Sequence, residues 1–139
     1  MQDMINEGHV PEGYQSITPY FTVADADLLI DFLANAFDAK IVKENRYEDN
    51  RVQHARLRIG TSIIMLNQSS EDYPANSSQM HLFVGDTDAV FERAVQAGAT
   101  PIMVPNDRPH GDRMGGIKDP CGNVWWIATH AHKREKRTR

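Results

Sequence analysis

The feature that most restricts what this chain can become is that it repeats itself. Phe21, Val23, Asp25 and Asp27 of the segment FTVADAD return 61 residues later as Leu82, Val84, Asp86 and Asp88 of LFVGDTD. The later copy sits in Gln79–Ala99. There Met80, Leu82 and Val84 alternate with Gln79, His81 and Phe83, which is the period of a half-buried strand. Asp86 then stands at a helix N-cap and Asp88 in an acidic first turn, suited to the positive end of the helix dipole. Val90, Phe91, Ala94 and Val95 follow at helical spacing, and Gly98 takes the position of a C-terminal glycine. Strand, tight corner and amphipathic helix occur twice, so the chain reads as two copies of one module.

The rest of each half extends the same pattern. Ser16–Val23 alternates Ile17, Phe21 and Val23 against Thr18, Tyr20 and Thr22, and Pro19, lacking an N–H, predicts an edge strand. A helix over Asp25–Phe37 is expected to bury Leu28, Leu29, Phe32, Leu33 and Ala36. Strand-like runs follow at Ala39–Tyr47, Val52–Ile59 and Ser62–Leu66, separated by turns at 48–50 and 60–61. In the second of these, His54, Arg56 and Arg58 alternate with Ala55, Leu57 and Ile59. The second half continues with Thr100–Val104, a loop PNDRPHGDR and a strand Met114–Lys118. The turn Asp119-Pro120-Cys121-Gly122 then leads into Val124–Thr129. The expected divisions are a leader (1–13), a first module (14–67), a turn-rich linker (68–78), a second module (79–130) and a basic tail (131–139). Each module reads β-α-β-β-β, an α+β architecture.

Composition excludes several classes of function. Of 139 residues, 24% are charged and the net charge is −4, which gives no basic surface for nucleic acid. The basic tail reads as a solvated end. No apolar run approaches about 18 residues, so no membrane-spanning helix is expected. A single cysteine, Cys121, cannot form an internal disulfide, and the start of the chain lacks the pattern of a signal peptide. A cytoplasmic location is the expectation. Neither a phosphate-cradling glycine loop, a Ser-His-Asp signature nor HExxH spacing is present. Cys121 has no histidine base nearby in sequence and is not expected to act as a nucleophile.

In order along the chain, PEGY, TPYFTV, HARLRIG, HLFV with DAVFERAVQAGA, GDR and DPCGNVWWIATH resemble the vicinal oxygen chelate superfamily. That is the glyoxalase, bleomycin-resistance and extradiol-dioxygenase group, and the likeness is greatest to its PhnB-like branch. It runs from about Pro11 to His130. The resemblance implies tandem βαβββ modules forming a curved mixed sheet around a cleft, and a homodimer. In catalytic members it also implies a divalent metal held by one residue on the first and one on the last strand of each module.

The first-strand positions carried over by the resemblance are Thr18 and Gln79. The last-strand positions fall among Ile64, Met65 and Leu66, and among Trp126, Ile127 and Ala128. Only Gln79 has an ordinary ligating side chain, helped by a weak hydroxyl from Thr18, whereas a divalent ion needs several oxygen or nitrogen donors. His81, with its counterpart Tyr20, and also His54 and His110 could offer other donors, but no spacing supports a rebuilt metal site. Trp125 and Trp126 are neighbours on a strand and point to opposite faces; the resemblance puts Trp126 in the cleft. Tyr20, Phe83 and Trp126 would then supply stacking walls, with His54 and His81 as polar groups beside them. Arg113, near Asp112 and His110, is either an anion clamp or a structural partner of Asp112. The resulting expectation is a metal-free binder of a small, flat or aromatic molecule, with no cofactor. The alternatives are a metal-dependent glyoxalase- or dioxygenase-type enzyme acting on vicinal oxygens, and a metal-free isomerase or lyase using His81 or His54 as base.

Overall fold

The computed structural model describes residues 9–131. Most of the leader and of the basic tail lie outside the described residues. The elements are β1 (Tyr20–Val23), α1 (Ala26–Phe37), β2 (Lys40–Arg46), β3 (Val52–Ile59), β4 (Ser62–Gln68), β5 (Gln79–Phe83), α2 (Thr87–Gln96), β6 (Thr100–Asp107), β7 (Arg113–Lys118) and β8 (Val124–Thr129). They build two four-stranded mixed sheets, ordered β1-β4-β3-β2 and β5-β8-β7-β6. In each, the first strand lies parallel to the last, and the other pairings are antiparallel. The fold is therefore α+β with two tandem βαβββ modules.

The corner residues do the same local work in both copies. Asp25 accepts a hydrogen bond from the backbone N–H of Leu28, and Asp86 accepts one from Ala89, so each caps three residues ahead. In the first module Gln68 of β4 ties the corner down, accepting from the N–H of Ala26 and donating to the carbonyl of Ala24. In the second, Thr129 of β8 accepts from the N–H of Thr87 and donates to the carbonyl of Val84. Past α2, Gly98 adopts φ 117°, where its N–H reaches Val95 O and that of Ala99 reaches Ala94 O, closing the helix with a left-handed residue.

The two modules share one core. Phe21, Val23, Leu57, Ile64 and Leu66 of the first sheet meet Ile117, Trp125 and Ile127 of the second under Leu29, Phe32, Leu33 and Phe37 of α1. The rings of Phe21 and Trp125 stack 5.8 Å apart at 10°, and Phe37 approaches the same indole at 5.0 Å. Asp119 braces this joint: it caps its turn by accepting from the N–H groups of Cys121 and Asn123, and its other oxygen accepts the Trp125 indole N–H at 2.8 Å.

Several boundaries differ from the expectations. β1 begins at Tyr20 rather than Ser16, although Pro19 still offers its carbonyl to Met65 and β1 is an edge strand. Leu28 is 43% exposed and leaves the buried stripe, because at 3.6 residues per turn it stands half a turn round α1 from Phe37. β4 runs on to Gln68, which pairs with Val23, so the linker is shorter by one residue at its start. β6 continues through Pro105 to Asp107, where a loop was expected; shifts in its pairing with β7 absorb the proline's missing donor.

Candidate functional site

Alternation along the strands decides which side chains are available. Phe21 and Trp125 meet in the core, so Tyr20 and Trp126, their neighbours on β1 and β8, stand on the opposite, open faces of their sheets. The open faces of one chain thus turn away from each other. Tyr20, Phe83 and Trp126 do not line one cleft within a chain; they fall into two half-sites, one per module.

Each half-site is built on one rung of paired strands. In module one the rung is Tyr20, Met65 and Arg56. In module two it is His81, Trp126 and Gly116. Tyr20 and His81, and likewise Met65 and Trp126, are 61 residues apart, so the rungs are equivalent in the repeat.

The module-two rung is an aromatic wall. Trp126 lies across Gly116, where a Cβ would come within 2.5 Å of the indole ring, so no other residue type leaves space for it. The indole N–H donates to Gln79 Oε1 at 2.6 Å, which fixes the ring. His81 packs against Phe83 with ring centres 4.6 Å apart, and Phe83 meets His130 edge-on at 6.5 Å. Phe83, Val84, Gly85 and His130 line an open cavity of about 430 Å³ at the end of β5.

The module-one rung is polar and cationic. Tyr20 Oη lies 3.1 Å from His54 Nδ1, and Arg56 Nε donates to His54 Nε2 at 3.1 Å. Arg56 Nη1 also reaches Tyr14 Oη at 3.3 Å, with the guanidinium 5.7 Å from the Tyr14 ring centre. Burial, then the charges of Arg56 and Lys43, hold the His54 imidazole below the usual histidine range. Burial and the nearby Tyr47 push the Tyr20 phenol up. A cavity of about 290 Å³ opens beside this rung, lined by Tyr14, Thr18, Arg56 and Met65 among others. Thr18 therefore faces a pocket formed by the segment preceding β1, rather than a partner donor across a cleft.

Arg113 is committed to the fold. Its Nε and Nη2 bind both oxygens of Asp88 in the first turn of α2 at 2.6 and 2.8 Å, and its Nη1 reaches Asp107 at 3.2 Å. The expected pairing with Asp112 is not made. Asp112 instead accepts from the N–H of Ala131 at 2.6 Å and lies 3.3 and 3.4 Å from His110 Nε2 and His130 Nδ1. Cys121 donates weakly to the carbonyl of Asp25, and burial pushes its thiol up, away from a reactive thiolate.

The donor chemistry at the four metal positions of the family does not suit a divalent ion. Gln79 Oε1 already accepts the Trp126 N–H, an indole offers no lone pair of its own, and Met65 presents a thioether. Ile64, Leu66 and Ile127 turn into the core, and Ala128 carries only a methyl group. Among the described residues, no group of three or more His, Cys, Asp or Glu side chains is placed to hold a metal. Sequence reasoning missed Tyr14, Arg56, Gly116 and His130. Arg56 was legible in sharing a strand face with His54, opposite Ala55 and Leu57, and Gly116 in a pair of glycines inside a strand. Tyr14 reaches the sheet only through the course of a loop.

Comparison with known proteins agrees with this architecture. An uncharacterised protein of Mycobacterium bovis is 36% identical over 121 residues, spanning 79% of this chain and 80% of its own. TioX from Micromonospora superposes with a TM-score of 0.72 at 25% identity, over 82% of this chain and 97% of that one. A PhnB protein from Bacillus cereus shares the fold with a TM-score of 0.62 at 20% identity, over 84% of this chain and the whole of its own. The family model that matches is described as the glyoxalase/bleomycin resistance protein/dioxygenase superfamily and covers residues 14–127. With its tandem βαβββ modules and that match over most of its length, the chain belongs to the glyoxalase/bleomycin resistance protein/dioxygenase superfamily.

Proposed function

We propose that the protein binds a small, flat or aromatic molecule against its open sheet faces, without a metal and without turning it over. One observation carries this reading. Trp126, laid over Gly116 and tethered to Gln79, puts a stacking wall where catalytic relatives keep metal ligands. Stacking and burial need only apolar walls and a few placed polar groups, and the two rungs supply both.

Within this reading the protein is a homodimer of the PhnB-like branch acting in the cytoplasm. The polar rung of module one and the aromatic rung of module two face away from each other in one chain. A second copy is what can set one against the other. Tyr20 and Phe83, 47% and 63% exposed on those faces, are the side chains such pairing would cover. No helix among the described residues is long and apolar enough to cross a membrane.

The test combines metal analysis with ligand titration. Purified protein incubated with Zn²⁺, Ni²⁺, Mn²⁺ or Fe²⁺ is expected to retain less than stoichiometric metal and to show no thermal shift. Planar aromatic probes such as quinoline are expected to quench tryptophan emission and raise Tm. Stoichiometric metal with a raised Tm overturns the reading in favour of a metal-dependent enzyme. Light scattering that returns a monomer mass refutes the dimer.

A further inference from the structure

The polar rung has a direction, and the direction names a ligand group. Arginine carries only donors and keeps its charge, so the 3.1 Å bond from Arg56 Nε requires a lone pair on His54 Nε2. An imidazole with that lone pair is neutral and bears its proton on Nδ1. Nδ1 faces Tyr20 Oη at 3.1 Å, so Tyr20 accepts there, and its own O–H proton is left to donate elsewhere. Tyr14 is in the same position: its oxygen accepts from Arg56 Nη1, and its own hydroxyl proton is left to donate. One guanidinium therefore orients two phenol donors, one directly and one through His54.

The charge of Arg56 is also uncompensated. Among the described residues no carboxylate lies within ion-pair distance of it, whereas Arg46, Arg51, Arg93 and Arg113 all have acidic partners. The charges that act on His54 are those of Arg56 on its own strand and Lys43 on β2, both basic, and its Nδ1 faces Tyr20 on β1. Arg56, half-buried, lines the cavity of about 290 Å³ together with Tyr14, Thr18 and Met65, and Tyr20 stands beside Met65 on the next strand. Two phenol hydroxyls with protons left to donate, and a guanidinium with no acidic partner among the described residues, stand at the rim of a partly apolar pocket and form a receptor for an anion with oxygen acceptors.

We propose that Arg56, His54, Tyr20 and Tyr14 form a carboxylate-binding subsite, so that the molecule bound by this protein is an aromatic carboxylic acid. This inference rests on the small-molecule-binding reading and adds the charge and acceptor chemistry of the ligand. The neutral His54 acts as a positioning residue, holding Tyr20 so that its proton is left to donate.

The experiment uses the full chain and two readouts. Nitrogen-15 NMR of the histidine rings is expected to show His54 at pH 7 as the neutral tautomer protonated on Nδ1. An imidazolium, or a proton on Nε2, overturns the relay. Binding is then compared for 1-naphthoate and its uncharged isostere 1-naphthamide by titration calorimetry. The carboxylate is expected to bind about tenfold more tightly, the gain of a charge-assisted hydrogen bond. Arg56→Gln and Tyr20→Phe are each expected to lose most of that preference while still binding the amide; circular dichroism checks that both fold. If the two probes bind alike, the carboxylate subsite is refuted and the aromatic-binder reading stands. If neither probe binds, both fall.

Discussion

The two modules are the same drawing executed with different materials. Both keep the strand order, the parallel pairing of first and last strands, and an aspartate N-cap at the corner. They differ in how that corner is closed and in what they expose. Gln68 and Thr129 occupy equivalent places 61 residues apart and make the same two kinds of bond, one with a long half-buried amide and the other with a buried hydroxyl. On the open faces, Met65 with Arg56 answers Trp126 with Gly116. A small residue permits a wall and a large cation forbids one, so the choice at one rung position separates a polar half-site from an aromatic one. Duplication preserved what backbone hydrogen bonding requires. Divergence on the open faces sets what each module exposes.

The comparison breaks first at the core that the modules share. Phe21→Ala should destabilise the whole chain by about 3–5 kcal/mol, because the ring is fully buried against Trp125. Urea unfolding should remain a single transition; two separated transitions would mean that the modules are independent. Next comes the aromatic rung. Gly116→Val drives a side chain into the Trp126 ring and should cost about 1–3 kcal/mol, with a shift in tryptophan emission as the indole is displaced. An unchanged emission spectrum would show that the indole is not held there.

The corners provide a finer contrast. Thr129→Val leaves the buried N–H of Thr87 without its acceptor and should cost about 1–3 kcal/mol, whereas water can replace the amide in Gln68→Leu, for a loss under about 1 kcal/mol. Equal losses in denaturant titrations would erase the distinction between a buried and a half-exposed brace.

The smallest effect is expected from pH. The folded His54 is held below the ordinary histidine value, first by burial and then by Arg56 and Lys43. The unfolded chain therefore takes up the proton first as pH falls below about 6.5, so stability should decline through that window and be fully present above it. His54→Gln should flatten that limb of the stability–pH curve; a limb left unchanged would place the titration elsewhere.

How far the site was legible follows from the range of the forces involved. Strand alternation assigned Trp125 and Trp126 to opposite faces, and set Gln79, His81 and Phe83 on one side of β5, because side-chain direction in a strand is a local property. The same logic could not foresee that Arg113 would choose Asp88 over its neighbour Asp112. That preference depends on where the first turn of α2 lands relative to β7. Nor could it foresee the split of Tyr20, Phe83 and Trp126, since it assigns faces within a sheet and says nothing of how two sheets are stacked.

What the sequence by itself determined is the module: its duplication, the order of its elements and its aspartate corners. Periodicity and capping act over a few residues, and a 61-residue repeat copies them together. What only the tertiary structure decided is the allotment of side chains between the inside and the outside of the assembled pair. The inner faces of both sheets carry the large apolar residues and close on a single core around Phe21 and Trp125. Once that burial is satisfied, the polar and aromatic rungs have no choice but to point away from it, and from each other.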